Sequence, residues 1–556
     1  MTRCIFVVGG VMSGIGKGVT AASIAKLLKD RGFSVTTIKI DPYVNVDAGT
    51  MNPIEHGEVF VTADGMECDQ DIGTYERFLN QNVPGLNSIT TGQIYRAVIE
   101  RERGLEYEGR CVEVVPDIPE EVIRRLRLAA KKSKAEFLVV EIGGTAGEYQ
   151  NVLFLEAARL LRLKEPKSVA VVLVSYVPIP KALFEMKTKP TQQAARMLQE
   201  AGLPPDIIVA RAATIIDGPR RKKIALFCNV EENDVFSAPD TSPIYAVPTI
   251  LEQEGLLERL LKKHFGMRCP RRKQARIQQW QKMLTNIHAS QKPVRIAIIG
   301  KYFASGNFVL PDVYLSVIEA VKHAAWALRL KPEITWLHAE EYEKNPKKLR
   351  ELSKFSGVIV PGGFGERGVE GKIRAIQYLR TKKVPFLGLC LGMQLAVVEY
   401  ARHVAGLTRA HSTEINVKTP YPVIDLMPEQ MILLKEKRLG GSMRLGTYPC
   451  KITPRTTAFT LYKKSRATAS RQKNILIQER HRHRYEVNNN FRKKLEKKGL
   501  LFSGINPQRD LVEIIELKKH PFFIATQFHP ELSSRPLMPH PLFSGFIRAA
   551  KKKTPR

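Results

Sequence analysis

Short apolar runs alternate with amphipathic stretches through the first half of the chain. The apolar runs have the length of strands and lie at Ile5–Val8, Ser34–Ile40, Phe137–Ile142, Val169–Tyr176 and Ile207–Ala212. Stretches with helical spacing, such as Ala21–Leu28, separate them. Because apolar strands joined by helices are typical of a parallel sheet covered on both faces, the pattern predicts an α/β fold. Ligands of such sheets bind at the carboxyl ends of the strands.

The same pattern restarts after a basic stretch of helical spacing at Arg271–Met283. A second buried strand begins at Val294, and further strands are predicted at Ile334–Leu337 and Gly357–Val360. We therefore predict two α/β domains, at residues 1–267 and 293–550. A linker over residues 268–292 joins them, and a basic tail follows at 551–556.

A glycine-rich turn between the first strand and the first helix is typical of a phosphate-binding loop. Glycines at positions 9, 10, 14 and 16 let backbone N–H groups turn inward, and Lys17 stands at the helix entrance. The sequence departs twice from G-x-x-x-x-G-K-[ST], since Val11 replaces the first glycine and Gly18 follows the lysine. The alternative is a plain turn with a solvated lysine. We predict nucleotide contacts at Gly14, Ile15, Gly16, Lys17, Gly18 and Val19.

Two carboxylates are predicted at the same edge of the first sheet. Glu141 ends an apolar strand, and Asp71 lies in the run Cys68–Phe78. Mg²⁺ prefers one or two carboxylates together with water and nucleotide oxygens, so the pair is a candidate magnesium site. Asp71 alone could equally be an ordinary acid in a turn.

A second set of reactive residues lies in the other half of the chain. The run Phe386–Gln394 contains G-x-C-x-G between a predicted strand and a predicted helix, which places Cys390 on a strained turn. A helix N-terminus favours the thiolate, and the next residue donates an N–H to a developing oxyanion. Later in the chain, His529 can carry the proton while Glu531 holds its tautomer. A lone histidine after a strand is commonly structural, but the turn around Cys390 favours a Cys-His-Glu triad.

Composition adds two constraints. The seven cysteines include no C-x-x-C pair, and no apolar run approaches the about 20 residues that cross a bilayer, so we expect a cytoplasmic protein. The formal net charge of +32 admits a polyanionic partner. Because the basic residues form short scattered clusters with few aromatic neighbours, a solvated surface is the commoner explanation, and nucleic acid is not the expected partner.

Beyond these patterns, the chain closely resembles the CTP synthase family. The resemblance rests on Asp41–Pro53, His56–Val61 and Cys68–Phe78, together with the glycine loop and the turn at Cys390. It implies a P-loop-type amidoligase domain followed by a class I glutamine amidotransferase domain. It also implies that ATP phosphorylates O4 of UTP and that ammonia from glutamine displaces the phosphate to form CTP. The family further implies Mg²⁺, activation by GTP, feedback by CTP and a homotetramer.

The resemblance assigns further roles to individual residues. Asp240 would contact ATP along with the glycine loop and Asp71, and Asp71 and Glu141 would hold Mg²⁺. UTP or CTP would contact Ser13, Glu148, Tyr149, Gln150, Lys187, Thr188, Lys189, Pro190, Thr191, Gln192 and Lys223. If residues 187–189 are extended, Lys187 and Lys189 point the same way toward one triphosphate. Glutamine would contact Gly363, Leu391, Gly392, Met393, Gln394, Glu414 and Arg484, and Phe364–Gly371 resembles the GTP-ordered lid.

Two other functions are compatible with parts of the sequence. A P-loop switch ATPase that binds nucleic acid would explain the glycine loop and the charge, but it leaves Cys390, His529 and Glu531 without a role. Another glutamine-dependent amidoligase of the same architecture would not explain Asp41–Pro53 or Lys187–Gln192. The chain departs from the family at Gly14, Asp117 and Gln150, which bears on uridine recognition and CTP feedback.

Overall fold

The computed structural model describes residues 2–181, 185–271, 274–301, 304–305, 308–309, 311–426, 443–465 and 474–553. The chain divides into two compact units. The first unit comprises Met1–Ala48 and Asp71–Leu284, and the second comprises Gly49–Gln70 and Thr285–Arg556.

The first unit is built on a parallel sheet. In chain order the strands up to residue 284 are β1 (Arg3–Gly9), β2 (Val35–Asp41), β3 (Phe60–Val61), β4 (Glu67–Cys68), β5 (Ser88–Thr90), β6 (Phe137–Ile142), β7 (Val169–Tyr176), β8 (Ile207–Ala212) and β9 (Val235–Pro239). Within the described residues the sheet order is β5-β2-β6-β1-β7-β8-β9, with every pair parallel. The ends of β1, β2 and β6 therefore meet at one edge.

Helices cover both faces of this sheet and bury its apolar strands. In chain order the helices up to residue 288 are α1 (Lys17–Asp30), α2 (Pro53–His56), α3 (Gln70–Leu79), α4 (Thr91–Arg103), α5 (Val114–Ser133), α6 (Val152–Lys164), α7 (Lys189–Glu200), α8 (Gly218–Cys228), α9 (Val247–Gln253), α10 (Leu256–Arg259) and α11 (Gln274–His288). Of these, α2 belongs to the second unit. In α11, Trp280 is 3% exposed, and its Nε1 donates to the Tyr245 carbonyl at 3.0 Å. The stretch predicted as a linker is thus partly packed against the first unit.

The second unit contains a larger mixed sheet. Its further strands are β10 (Lys292–Gly300), β11 (Ala304–Ser305), β12 (Phe308–Val309), β13 (Leu330–His338), β14 (Gly357–Val360), β15 (Phe386–Leu389), β16 (Ala410–Ser412), β17 (Tyr421–Leu426), β18 (Arg444–Ile452), β19 (Ile475–His483), β20 (Tyr485–Val487), β21 (Leu501–Ile505), β22 (Val512–Glu516) and β23 (Phe523–Thr526). Among the described residues its order is β13-β10-β14-β15-β23-β22-β21-β18-β19. Neighbours are parallel as far as β23 and antiparallel from there to β19.

The helices of the second unit pack on both faces of this sheet. They are α12 (Leu315–Ala327), α13 (Ala339–Lys344), α14 (Val369–Thr381), α15 (Leu391–His403), α16 (Thr457–Ser465), α17 (Asn489–Lys497) and α18 (Pro541–Lys553). Two hydrophobic clusters, one on each side of the parallel strands, form the core.

The structure confirms the predicted α/β class and differs from the sequence predictions in two details. Residues 187–189 are not extended, because Thr188 has helical φ and ψ angles and Lys189 is the first residue of α7. The argument that Lys187 and Lys189 point the same way is therefore wrong. The segment 49–70, inside the predicted first domain, groups with the second unit, because it carries β3 and β4 against β18 and β19.

Candidate functional site

Cys390 lies on the sharp turn between β15 and α15. Its φ angle of 50° is positive, which is the strained conformation that the G-x-C-x-G pattern predicts. A Cβ on Gly388 would lie 2.8 Å from Ala525 Cβ, so the first glycine lets the strands pack closely beneath the turn. The thiol donates to the Arg482 carbonyl and accepts from the Gln527 amide, both at 3.7 Å.

His529 and Glu531 lie beside this turn as a hydrogen-bonded pair. His529 Nδ1 is 2.7 Å from Glu531 Oε1, and the buried Nε2 has no hydrogen-bond partner among the described residues. Burial lowers the pKa of His529, but the charges of Glu531 and Cys390 outweigh it and raise the pKa to about 10. A Cβ on Gly362 would lie 3.1 Å from His529 Cε1 and 3.6 Å from Cys390 Cβ. The structure thus brings the three predicted triad residues together around Gly362.

A cavity of about 290 Å³ adjoins Cys390, and most of the residues predicted to bind glutamine line it. It is lined by Gly363, Phe364, Cys390, Leu391, Gln394, Glu414, His483, Arg484 and Tyr485. Gln394 Nε2 donates to the Tyr485 carbonyl at 2.9 Å, which fixes the orientation of its amide. Burial raises the pKa of Glu414, and its Oε1 accepts from Gly365 N at 3.3 Å. A small polar ligand with an amide and charged ends fits these walls.

Gly392 and Met393 do not line this cavity, in contrast to the prediction. A Cβ on Gly392 would overlap the Val360 carbonyl, because α15 packs closely on β14 there. Met393 is fully buried in a hydrophobic core cluster of the second unit. Both residues therefore support the turn at Cys390 from behind.

The predicted lid, Phe364–Gly371, is tied to the end of β10. Lys301 Nζ donates to the Gly365 carbonyl, and Arg367 Nη2 donates to the Lys301 carbonyl, both at 2.6 Å. Arg367 also forms an ion pair with Glu340. Burial lowers the pKa of Lys301 to about 8. These contacts hold the segment beside the glutamine cavity.

A second cavity, of about 620 Å³, borders the triad. It is lined by Pro53, Glu58, Val59, Val313, Tyr314, Gly362, Gly363, Phe364, Cys390, Arg482, His529, Glu531 and Leu532. Glu58 accepts from the backbone N–H of Ser316 at 2.9 and 3.2 Å and also from its hydroxyl group. The segment 49–70 thus forms part of the wall next to the nucleophile.

Residues 480–485 have roles that sequence reasoning recognised only for Arg484. The histidines point to a buried network in which His481 Nε2 is 2.8 Å from Glu513 and His483 Nε2 is 2.7 Å from Glu486. Arg444 donates to both carboxylates, at 2.7 and 2.9 Å. Arg480 and Arg482 instead reach segment 49–70. The strict alternation of arginine and histidine was the available signal, because successive strand residues face opposite sides.

In the first unit, the glycine loop runs from β1 to α1 as predicted. Gly16 has a φ of 86° and precedes Lys17, the first residue of α1. Lys17 is 8% exposed, and its Nζ donates to the Gly144 carbonyl at 2.7 Å. Burial lowers the pKa of Lys17, while neighbouring carboxylates, chiefly Glu141, oppose that change. The lysine therefore stands at the edge of the sheet where a phosphate would bind.

Asp71 and Glu141 are joined by a lysine that sequence reasoning did not select. Lys39 Nζ forms an ion pair with Asp71 and lies 3.4 Å from Glu141 and 3.5 Å from Asp41. Tyr75 also donates to Glu141, whose pKa is raised to about 7 by burial and then by the charge of Asp71. The ammonium group thus lies among three carboxylates. No group of three or more His, Cys, Asp or Glu side chains in the described residues is arranged to hold a metal ion, whereas the pair Asp71 and Glu141 matches the one or two carboxylates that Mg²⁺ prefers.

Arg211, on β8, is a second residue at this edge of the sheet, after Lys39, that the sequence analysis did not select. A Cβ on Gly16 would lie 2.7 Å from Arg211 Nη1, so the guanidinium lies against the glycine loop. Arg211 Nη2 donates to Asp240 Oδ1 at 2.6 Å, which fixes the predicted adenosine contact. Ile15 is buried, whereas Gly14 is exposed and Val19 is half-buried.

The residues predicted to bind UTP lie mostly at the surface. Ser13, Tyr149, Gln150, Lys189 and Lys223 are exposed, Thr188 and Thr191 are buried, and Glu148, Lys187, Pro190 and Gln192 are intermediate. Gln150 donates to Glu148 at 2.7 Å, and Lys187 pairs with Glu185 at 2.6 Å. Asp117 is buried and accepts from Arg110 at 3.0 Å, and this contact lowers the pKa of its carboxyl group. The ion pair with Arg110 gives a local explanation for Asp117, one of the positions where the chain departs from the family.

A phosphate loop with facing carboxylates in one unit and a Cys-His-Glu site in the other define a glutamine-dependent amidoligase. The model described as CTP synthase N-terminus matches residues 3–267, and that of class I glutamine amidotransferase matches residues 309–549. The chain belongs to the CTP synthase family. Its reaction is the glutamine-dependent, ATP-driven amination of UTP to CTP, a ligase step of pyrimidine nucleotide synthesis.

Known relatives agree over the full length. CTP synthase from Pyrococcus furiosus is 50% identical over 99% of this chain and 98% of its own. CTP synthase from a Synechococcus strain is 47% identical over 100% of this chain and 98% of its own. The solved glutaminase domain of Trypanosoma brucei CTPS with bound acivicin is 35% identical, covers 47% of this chain and 94% of its own, and has a TM-score of 0.41. The full-length similarity favours CTP synthase over both alternative functions.

The described part of the chain contains no helix that is long and apolar enough to cross a membrane.

Proposed function

We propose that Cys390, His529 and Glu531 release ammonia from glutamine and that the glycine loop of the first unit directs ATP to activate UTP. The observation that carries this proposal is the buried His529–Glu531 pair, with a separation of 2.7 Å, beside a nucleophile on a strained turn. The carboxylate edge around Lys39 in the same chain supplies the nucleotide chemistry that uses the ammonia.

In the glutaminase half, the Cys390 thiolate attacks the carboxamide carbon of glutamine. The N–H groups of Leu391 and Gly363 stabilise the oxyanion, while the unpartnered Nε2 of His529 gives a proton to the leaving nitrogen. Ammonia leaves and a thioester remains, and water activated by His529 hydrolyses it to glutamate. Gln394, Glu414 and Arg484 hold the polar ends of glutamine.

In the amidoligase half, the γ-phosphoryl group of ATP moves to O4 of UTP. This step turns a poor leaving oxygen into a phosphate, which ammonia then displaces at C4. Lys17 holds the phosphoryl group in place, and Arg211 positions Asp240 beside the nucleotide. Positioning and charge neutralisation account for most of the acceleration.

Asp71 and Glu141 would hold Mg²⁺ at this edge, since their donor set and the lysine now between them fit a hard divalent cation. When bound, the ion would neutralise charge on the triphosphate of ATP. Lys39 would then be free to contact phosphate oxygens. This chain's own contribution is to direct both carboxylates toward the loop, where they lie against Gly18.

Ammonia reaches the activated UTP through the protein. In neutral water most ammonia is protonated to ammonium, which is not a nucleophile, so a route that excludes water keeps a larger share of it reactive. The cavity of about 620 Å³ beside Cys390, whose lining residues all belong to the second unit, is the space that the released ammonia would enter first. Its wall includes Pro53, Glu58 and Val59, which belong to a segment that returns to the nucleotide-binding unit in the chain.

The remaining proposals concern ligands and assembly. UTP and inhibitory CTP bind at Ser13, Glu148–Gln150, Lys187–Gln192 and Lys223, whose exposed positions suit a site completed by other subunits of a homotetramer. GTP acts on the lid containing Arg367, whose first residue, Phe364, lines the glutamine cavity. All seven cysteines are free thiols, which suits the reducing cytoplasm.

Two substitutions test the assignment of the half-reactions. Cys390→Ala should abolish CTP formation from glutamine and leave formation from ammonium salts unchanged, as followed by the absorbance of CTP. Lys17→Ala should abolish both, because the phosphoryl group is no longer held. Cys390→Ala that still uses glutamine, or Lys17→Ala that still makes CTP from ammonia, would contradict the proposal.

A further inference from the structure

A buried ion pair fastens segment 49–70 to the glutaminase centre. Arg482 Nε donates to Glu67 Oε1 at 2.7 Å, and Arg482 Nη2 donates to the Gly49 carbonyl at 3.4 Å. The Glu67 side chain is 1% exposed and that of Arg482 is 13% exposed. Because breaking a buried pair leaves an uncompensated charge, separating the two groups is costly.

The same arginine touches both sides of the reacting centre. Its guanidinium lies 5.1 Å from the centre of the Phe364 ring, and Phe364 follows the oxyanion donor Gly363. Its backbone carbonyl accepts from Cys390 Sγ at 3.7 Å. A displacement of Arg482 therefore changes the oxyanion loop and the surroundings of the nucleophile at once.

Glu67 is itself held in a closely packed segment. A Cβ on Gly49 would overlap the Glu67 carboxylate, so the chain passes directly over it. Farther along, Arg480 donates to the Val61 carbonyl at 3.1 Å, and Thr447 N donates to the Ala63 carbonyl at 3.0 Å. These contacts attach the segment to β18 and β19.

The two ends of this segment continue into the nucleotide-binding residues. Asp71, which pairs with Lys39, comes four positions after Glu67 in the chain. At the other end, Asp41 ends β2 eight positions before Gly49. A rearrangement around Asp41 and Asp71 on nucleotide binding therefore has a short covalent path to Glu67.

We propose that the Glu67–Arg482 pair is the positioning element through which occupation of the nucleotide site adjusts Cys390 and the oxyanion loop. The inference rests on the proposed function, since it requires ATP and UTP to bind in the first unit. Neither side chain takes part in bond making. Their role is to make glutamine hydrolysis respond to the presence of the ammonia acceptor.

The test compares glutamine hydrolysis with and without nucleotides. The quantity measured is kcat/KM for glutamate release in the presence of UTP and a non-hydrolysable ATP analogue, divided by kcat/KM without them. We expect a ratio of about fivefold or more for the wild type, as is usual for coupled sites. Glu67→Gln should bring the ratio close to one while the basal rate stays within about threefold. The matched control Glu55→Gln, at an exposed position of the same segment, should keep the wild-type ratio.

A second readout does not depend on turnover. Nucleotides should accelerate alkylation of Cys390 by iodoacetamide in the wild type and leave it unchanged in Glu67→Gln. The acceleration of alkylation by nucleotides should be no smaller in the double variant Glu67→Gln/Arg482→Met than in Arg482→Met alone, because both substitutions break the same ion pair. If Glu67→Gln fails to fold, Arg482→Lys is tested by the same criteria. This variant keeps the positive charge but loses the planar guanidinium group and its several N–H donors.

The outcomes separate this inference from the proposed function. Glu67→Gln that keeps the wild-type ratio, or a wild type without any response to nucleotides, would overturn the role of the pair while CTP formation continues. A wild-type enzyme that forms no CTP from ammonia would instead refute the proposed function. CTP formation from ammonia should be the same in Glu67→Gln and the wild type.

Discussion

Replacing Glu531 by glutamine tests whether the charge beside His529 drives glutamine hydrolysis. The Nδ1–Oε1 distance is 2.7 Å, and the two side chains are 13% and 5% exposed. Glutamine has the same size and can accept the same hydrogen bond. The substitution therefore removes the charge and leaves the shape of the site.

The structure gives the size of the effect. The pKa of His529 is raised from 6.5 to about 10, although burial by itself lowers it. The charge of Glu531 is the largest of the effects that raise the pKa, and the charge of Cys390 comes next. A hydrogen bond to a charged group contributes about 2 kcal/mol, so its loss should make the thiolate–imidazolium pair form about 30-fold less readily.

The assay follows glutamate release between pH 6 and pH 11. Because the raised pKa keeps His529 protonated until the pH passes about 10, the alkaline limb of kcat/KM should lie there in the wild type. In Glu531→Gln burial dominates, so this limb should move to lower pH. At pH 8 we expect kcat/KM for glutamine hydrolysis to fall about 30-fold or more.

Two controls accompany this measurement. Glu341→Gln changes an exposed carboxylate of the same unit, paired with Lys348, and should leave glutamine hydrolysis unchanged. CTP formation from ammonia should be equal in Glu531→Gln and the wild type, because that reaction does not use the triad. A Glu531→Gln enzyme within about threefold of wild-type hydrolysis, with an unmoved alkaline limb, would refute the reasoning.

Two further substitutions test the first unit. Gly18→Ala places a methyl group against Asp71, so ammonia-dependent CTP formation should fall about tenfold or more, whereas Gly218→Ala, where a Cβ meets no atom within 4 Å, should leave it unchanged. Equal activity in the two variants would contradict the close approach of Asp71 to the loop. Trp280→Ala should lower the free energy of unfolding of the unit that contains it by about 3 kcal/mol in urea titration, since the ring is 3% exposed, whereas the exposed control Gln278→Ala should have little effect. A loss below about 1 kcal/mol would show that α11 is not part of that core.

Local pattern was enough to predict much of the fold. Three strands have the predicted bounds, namely Phe137–Ile142, Val169–Tyr176 and Ile207–Ala212. Continuous apolar runs that are too short for a helix are typical of buried parallel strands. The turn at Cys390 was predictable for a similar reason. Glycines on both sides of one reactive residue allow the close packing that a sharp turn between a strand and a helix requires.

What the pattern could not predict depends on contacts between distant residues. Lys39 lies in an ordinary apolar strand, and only the fold shows that its ammonium group lies among three carboxylates. Segment 49–70 has little secondary structure, so nothing in its local spacing indicates that it packs in the second unit. Residues 187–189 were mispredicted because a helix N-terminus and an extended strand share the same short polar sequence.

The alternation along β19 also limits how this strand can vary. β19 is the outermost strand of its sheet, a position where neighbours constrain sliding least. A slip by one residue would direct the guanidinium groups of Arg480 and Arg482 into the buried carboxylates and the imidazoles of His481 and His483 toward segment 49–70. A single substitution along this strand changes one contact, which one further substitution can compensate. An insertion or deletion of an odd number of residues exchanges the partners of the arginines and of the histidines at the same time. The register of this edge strand is thus set by its charged side chains.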